Sequence, residues 1–241
     1  MQAEGGKGVF VTTRWSVVLG TRAGESSRAA QALEQLCQTY WYPLYVFLRR
    51  NGQSPEDAQD LVQGFFAHLL GGNMLNRIAP EKGRFRSFLL ASLKNFLCDQ
   101  ADKANALKRG GGVQTVSLDA ATAEERFHLE PQDMLDPAKA YDRRWALMLL
   151  ESALTRLSSE NEGERRKRFD RLRDFMLGDP TDTTYAETGR TLGMSEGAVK
   201  VAVLRLRQRY RELVRDEIAE TVATPEDVQD ELQHIFSVLS A

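Results

Sequence analysis

The chain has little of several things that define other protein classes. No run of about eighteen apolar residues occurs, so no membrane-crossing helix is expected. The aromatic stretch Tyr40 to Leu48 is broken by Pro43 and ends at Arg49-Arg50, which marks it as core. There are 2 cysteines, Cys37 and Cys98, far apart and inside apolar patterns, so buried reduced thiols are expected and a disulfide or metal site is not. Strand-like alternation is nearly absent, no internal repeat is visible, and the first residues lack a signal-peptide arrangement, which makes the cytoplasm the expected location. No excess of positive charge is present either, since the formal net charge is -2. What remains is a 241-residue chain, 42% hydrophobic and 27% charged, of a size for one or two helical cores.

The near-neutral total hides a segregated charge. Arg84, Arg86, Lys94, Lys103, Lys108 and Arg109 face only Asp99 and Asp102 in their stretch, and Lys200 to Arg215 is similarly basic. Acid collects in Asp119 to Asp136 and in Asp216 to Glu231, where Arg126 is the only lysine or arginine. Segregation of this kind steers a protein onto phosphate backbones whatever its net charge.

The expected architecture is all-α, with two helical domains joined by a flexible acidic linker. Residues 28–107 keep helical periodicity, interrupted at Asn51-Gly52 and from Gly71-Gly72 to Gly83, after an N-terminal segment, 1–27. Residues 108–138 hold Gly110-Gly111-Gly112, Pro131, Pro137 and the acidic cluster, a composition that reads as a tether unable to order itself. A second helical domain spans 139–219, and 220–241 is a C-terminal segment.

The most specific local signal is Thr184 to Val199 running into Lys200 to Arg215. Thr183 or Thr184 can cap a short helix with Ala186, Gly189 and Leu192 inward, Gly193 supplies a permissive turn, and Ser195 caps the next helix. Val199, Val203, Leu206, Tyr210 and Leu213 then form one apolar stripe, with Lys200, Arg207 and Arg211 on another face. Such a helix-turn-helix lays its second helix in the DNA major groove. The plainer alternative is an amphipathic helix with a solvated basic face.

A second constellation begins at Ser54-Pro55-Glu56-Asp57, a cap, a proline at the first helical position and acids in the first turn. Ala58, Leu61, Val62, Phe65, Phe66, Leu69 and Leu70 face inward, which leaves Asp57, Asp60 and Gln63 on an exposed face. Glu56, Asp57 and Asp60 as a metal cage in a helical enzyme is an alternative, opposed by the lack of a matching acid-and-histidine set and of a nucleophile; His68 stands alone.

Glu56 to Phe66 resembles the polymerase-binding helix of sigma factors of the extracytoplasmic-function type, and Gly83 to Asp99 resembles the promoter-melting helix that follows it. The helix-turn-helix is similar to that family's fourth conserved region. Together the motifs cover most of residues 28–215. The resemblance implies a non-enzymatic specificity subunit without metal or cofactor, whose partners are core RNA polymerase and promoter DNA, and it admits a separate anti-sigma protein. It assigns polymerase binding to Asp57, Asp60 and Gln63. It assigns the minus-ten element to Arg84, Arg86, Lys94 and Asn95, with a flipped base held by the loop Asn76 to Phe85, and Phe88 is expected in the core. The minus-thirty-five element falls to Ser195, Glu196, Lys200, Leu204 and Arg205. Gly64, Gly189 and Val201-Ala202 depart from the family pattern, so the preferred sequence does not follow from it. A helix-turn-helix regulator acting without polymerase is the alternative function.

Beyond that pattern, Thr224, Pro225 and Asp227 are placed to start another helix. Val228, Leu232, Ile235, Phe236 and Leu239 give it an apolar stripe, and Glu226, Asp227, Asp230 and Glu231 an acidic face. A helix this short must dock to be stable. Completing the second domain is one destination; lying on a basic DNA-binding face as a restraint is the other.

Overall fold

The computed structural model describes residues 39–71, 84–106, 120–130, 136–178, 183–222 and 224–240. These are helical almost throughout. In chain order α1 covers 39–50, followed by α2 (Pro55–Gly71), α3 (Phe85–Ala106), α4 (Ala120–His128), α5 (Pro137–Ser159), α6 (Glu164–Leu177), α7 (Tyr185–Leu192), α8 (Glu196–Ala219) and α9 (Pro225–Ser240). The fold is all-α, and among the described residues the one strand-like pairing is an isolated antiparallel bridge between Arg84 and Val222. Cys37, the loop 76–83 and the triglycine 110–112 lie outside the described residues.

Two compact units form, one from residues up to Ala146 together with Ala219–Ala241, the other from Leu147–Ile218. The first is built on aromatic packing. Tyr40, Leu44 and Leu48 of α1, Val62, Phe65 and Leu69 of α2, Phe85, Leu89 and Leu93 of α3, and Tyr141 and Trp145 of α5 are buried. Tyr40 meets Phe85 edge-on with ring centroids 4.9 Å apart, and the Trp145 Nε1–H donates to the Tyr40 hydroxyl at 2.8 Å. That bond matters because a buried indole N–H needs a partner. Burial pushes the Tyr40 and Tyr141 hydroxyls well above their ordinary pKa.

The acidic stretch is not a bare tether over 120–130. Helix α4 lies against α2, and its Glu124 accepts from Arg49 Nη2 at 2.7 Å and from Arg49 Nε at 3.0 Å. The Arg49 and Arg50 guanidinium groups sit 4.8 Å and 5.1 Å from the centre of the Phe127 ring. Charge pairing and cation–π contact thus do the ordering that apolar area alone would not. Cys98, expected to be buried, is exposed, on the outer face of α3 beside exposed Asp99.

The second unit packs α6, α7 and α8 around Leu172, Phe175, Val199 and Val203, with Tyr185, Leu192, Met194 and Leu206 closing the edges. The lower part of α8 is tied to α5, where Glu217 accepts from Arg156 Nη1 at 2.7 Å and from Ser152 Oγ at 3.1 Å.

Helix α9 starts where its caps predict, with the Thr224 hydroxyl donating to Asp227 at 2.9 Å. It belongs to the first unit. Ile235 and Glu231 are buried, but Phe236, expected in the stripe, is 69% exposed.

Candidate nucleic-acid interface

The turn between α7 and α8 is specified atom by atom. Thr184 caps α7, its hydroxyl accepting from the Glu187 N–H while the Glu187 carboxylate accepts from the Thr184 N–H, a complete capping box. The backbone bond from Thr184 holds the Glu187 carboxyl below its usual range. Gly193 then takes left-handed φ 64°, ψ 33°, and the Met194 N–H returns to the Gly189 carbonyl at 2.8 Å. Ser195 Oγ accepts from the Ala198 N–H at 3.2 Å and so starts α8. Gly189 departs from the family pattern for a steric reason: a Cβ there would lie 2.7 Å from the Met194 carbonyl oxygen. Inside α7, Thr188 and Gly189 are the buried positions, whereas Ala186 and Leu192, expected inward, are half-buried.

Along α8 the expected stripe faces inward, and Ser195, Glu196, Lys200, Leu204 and Arg205 are all exposed. Leu204 and Val201 present apolar surface, 63% and 48% exposed. Lys200 Nζ pairs with Glu196 Oε1 at 2.6 Å, one turn back, and sits 5.6 Å from the Tyr185 ring centre. Arg205 lines a cleft with Arg165, Arg168 and Arg209, of which Arg209 is engaged by Glu160 at 2.6 Å. Arg207 is not on the outer face. Its guanidinium donates to the carbonyls of Phe175 at 2.6 Å and Met176 at 3.2 Å, and so caps the end of α6. The sequence reading missed the exposed basic row of α6, Arg165, Lys167, Arg168 and Arg171, which runs beside Thr191 and Leu192 of α7. A charge count over Glu164–Leu177 would have found it.

In α2, Asp57 and Asp60 are exposed and Gln63 is half-exposed, on one side of the helix. Asp57 also serves the helix start: Ser54 Oγ accepts from its N–H at 3.1 Å and donates to its carboxylate at 2.9 Å. Among the described residues no group of three or more histidine, cysteine, aspartate or glutamate side chains is placed to hold a metal ion.

The four candidates at the start of α3 and along it separate. Lys94 and Asn95 are exposed on its outer side, Lys94 Nζ lying 5.8 Å from the Phe47 ring centre. Phe88 is half-buried, at the margin of the core in which it was expected. Arg86 is buried, 8% exposed, and faces inward two turns ahead of buried Leu93. Its Nε and Nη2 donate to Glu231 at 2.7 Å and 3.2 Å, its Nη1 to Asp142 at 2.8 Å, and its guanidinium lies 5.0 Å from the Trp145 ring centre. Burial works against that charge, and Glu231 with Asp142 more than offsets it, so the Arg86 pKa is raised. The minus-ten role expected of Arg86 meets a side chain that is buried, with Nε, Nη1 and Nη2 each donating to a carboxylate of the protein itself. Arg84, with its side chain 31% exposed, meets Glu231 at 3.0 Å, Asp230 at 3.0 Å and Asp227 at 4.0 Å. The Phe85 N–H donates to the Thr221 carbonyl at 3.0 Å, so backbone as well as side chains joins the C-terminal segment to the start of α3.

An all-helical protein that carries a capped helix-turn-helix with an exposed, partly basic second helix has the form of a sequence-reading DNA-binding protein. A family model described as ECF sigma factor matches residues 22–219, and the chain belongs to that family. It is therefore a non-enzymatic transcription-initiation factor of the kind that binds core RNA polymerase and promoter DNA. No curated protein and no solved structure gave a significant match. Among the described residues no helix is long and apolar enough to cross a membrane. The match stops at 219, before α9 begins at Pro225.

Proposed function

We propose that this factor directs core polymerase in the cytoplasm to promoters with two elements, reading the upstream one as duplex through α8 and opening the downstream one with α3. The observation that carries the division is the α7–α8 geometry, which presents Ser195, Glu196, Lys200, Leu204 and Arg205 together and outward. Lysine and arginine can take phosphates or guanine edges there, while Leu204 and Val201 suit thymine methyl groups. The Asp57, Asp60 and Gln63 edge of α2 is the polymerase contact, since exposed carboxylates take charge-assisted bonds from arginines. On α3, Lys94 and Asn95 touch nucleic acid and Arg84 joins them once its carboxylate partners are displaced; Arg86 holds the helix in place.

The test is to mix the chain with core polymerase, ask for co-elution, and run transcription on fragments of the source genome with permanganate footprinting of opened DNA. Co-elution with promoter-dependent transcripts is expected. Duplex binding by the free chain without co-elution would instead identify a helix-turn-helix regulator that works without polymerase.

A further inference from the structure

The start of α3 already holds anions, and most of them come from α9. Two arginines, Arg84 and Arg86, meet four carboxylates, Asp142 of α5 and Asp227, Asp230 and Glu231 of α9. The cluster has two layers. Glu231 is 1% exposed and binds the buried Arg86 with both oxygens, so it cannot leave without α9 leaving. Asp227 and Asp230 have side chains 25% and 62% exposed and meet only Arg84 among the ion pairs of the cluster, at its wet edge. Wet-edge pairs are weak and screened by salt, so they exchange readily.

We propose that Asp227 and Asp230 occupy the phosphate position at Arg84, so that α9 is a built-in competitor of single-stranded DNA at the start of α3. Glu231 and the Thr221–Phe85 backbone bond hold the competitor in place, and the outer aspartates yield when nucleic acid arrives. The competing helix α9 lies outside the matched span 22–219, and the proposal rests on the reading of α3 as the helix that meets opened DNA. Its energetic logic is exchange: a phosphate that reaches Arg84 must take the bond that Asp230 makes at 3.0 Å. The free factor therefore binds single strands less tightly than its basic α3 would allow.

The experiment measures binding of the full chain to a single strand of about twenty nucleotides, a length of one to a few site sizes, by fluorescence anisotropy from low to high salt. Asp227→Asn with Asp230→Asn is expected to tighten binding several-fold at low salt, with log K falling more steeply against log salt, by about 0.7 for each further phosphate neutralised. Adding Arg84→Ala should erase the tightening. Asp230→Asn alone, at the more exposed site, should give part of it, and thermal melting of each variant confirms the fold. Unchanged affinity at every salt concentration overturns the proposal, and so does a tightening that survives Arg84→Ala, which would come from the lower acidity of the surface in general. Core-polymerase co-elution is followed on the same proteins: its absence in the wild type sinks the sigma-factor role and leaves the competition result standing.

Discussion

Two arginine-bearing helices, α3 and α8, look alike as sequence and differ as surfaces. In α8 Arg205 is exposed and faces a cleft lined by other arginines. In α3 Arg86 is buried against Glu231, 145 residues further along the chain, and Arg84 is engaged at the rim of the same cluster. The lesson is that a basic helix becomes an open nucleic-acid face only if no distant segment brings carboxylates to it. The same residue type is buried among carboxylates in one helix and left exposed in the other, where the proposed function needs it.

The largest effect should come from breaking the buried pair. Arg86→Ala leaves Glu231 in the interior without its guanidinium and should cost ~3–5 kcal/mol, whereas Arg205→Ala should stay within about 0.5 kcal/mol. Urea unfolding of both variants measures the contrast, and equal small losses would show that Arg86 is not a structural residue. Next comes the turn itself. Gly189→Ala drives a methyl into the Met194 carbonyl and should destabilise the second unit by about 1–3 kcal/mol. Duplex binding should fall while single-strand binding stays near the wild-type level; parallel losses on both DNA forms would mean the two faces do not act separately.

Asp60→Arg tests the third surface. At an exposed site its stability cost should be within about 0.5 kcal/mol, while co-elution with core polymerase should disappear. Wild-type co-elution would remove α2 from the polymerase contact.

Much of this was legible in the sequence, and the reason is local. Ser54, Thr184, Ser195 and Thr224 announce helix starts, and each start is where those residues place it. The α8 stripe follows from spacing alone. What was not legible is long-range. The low apolar content of α4 reads as tether, yet Glu124 and Phe127 find Arg49 and Arg50 more than seventy residues away. The burial of Arg86 depends on Glu231, and the exposure of Cys98 and Phe236 on which side each helix turns to its neighbours. The inward register of Arg86 with Leu93 was the one available cue.

A smaller, pH-dependent effect sharpens the point about α4. The bond from Arg49 holds the Glu124 carboxyl below its ordinary pKa, against the opposing pull of burial. Because the folded value is depressed, the stabilisation is complete above the unfolded value, about 4.3, and is lost as pH falls through the folded one. Hydrogen-exchange protection over 120–130, taken relative to the intrinsic amide rate at each pH, should therefore fall in acid, and Glu124→Gln should remove that pH dependence; identical acid profiles for the two proteins would show that another group orders α4.

The open and closed faces can be compared in one measurement on the free protein at low salt: duplex binding for Arg205→Ala beside single-strand binding for Arg84→Ala, each against the wild type. Arg205→Ala should weaken duplex binding severalfold, and Arg84→Ala should weaken single-strand binding far less, because a phosphate reaching that guanidinium must first displace Asp227 and Asp230. Equal weakening by the two substitutions would contradict the account, since it would mean that the start of α3 is as open to DNA as α8.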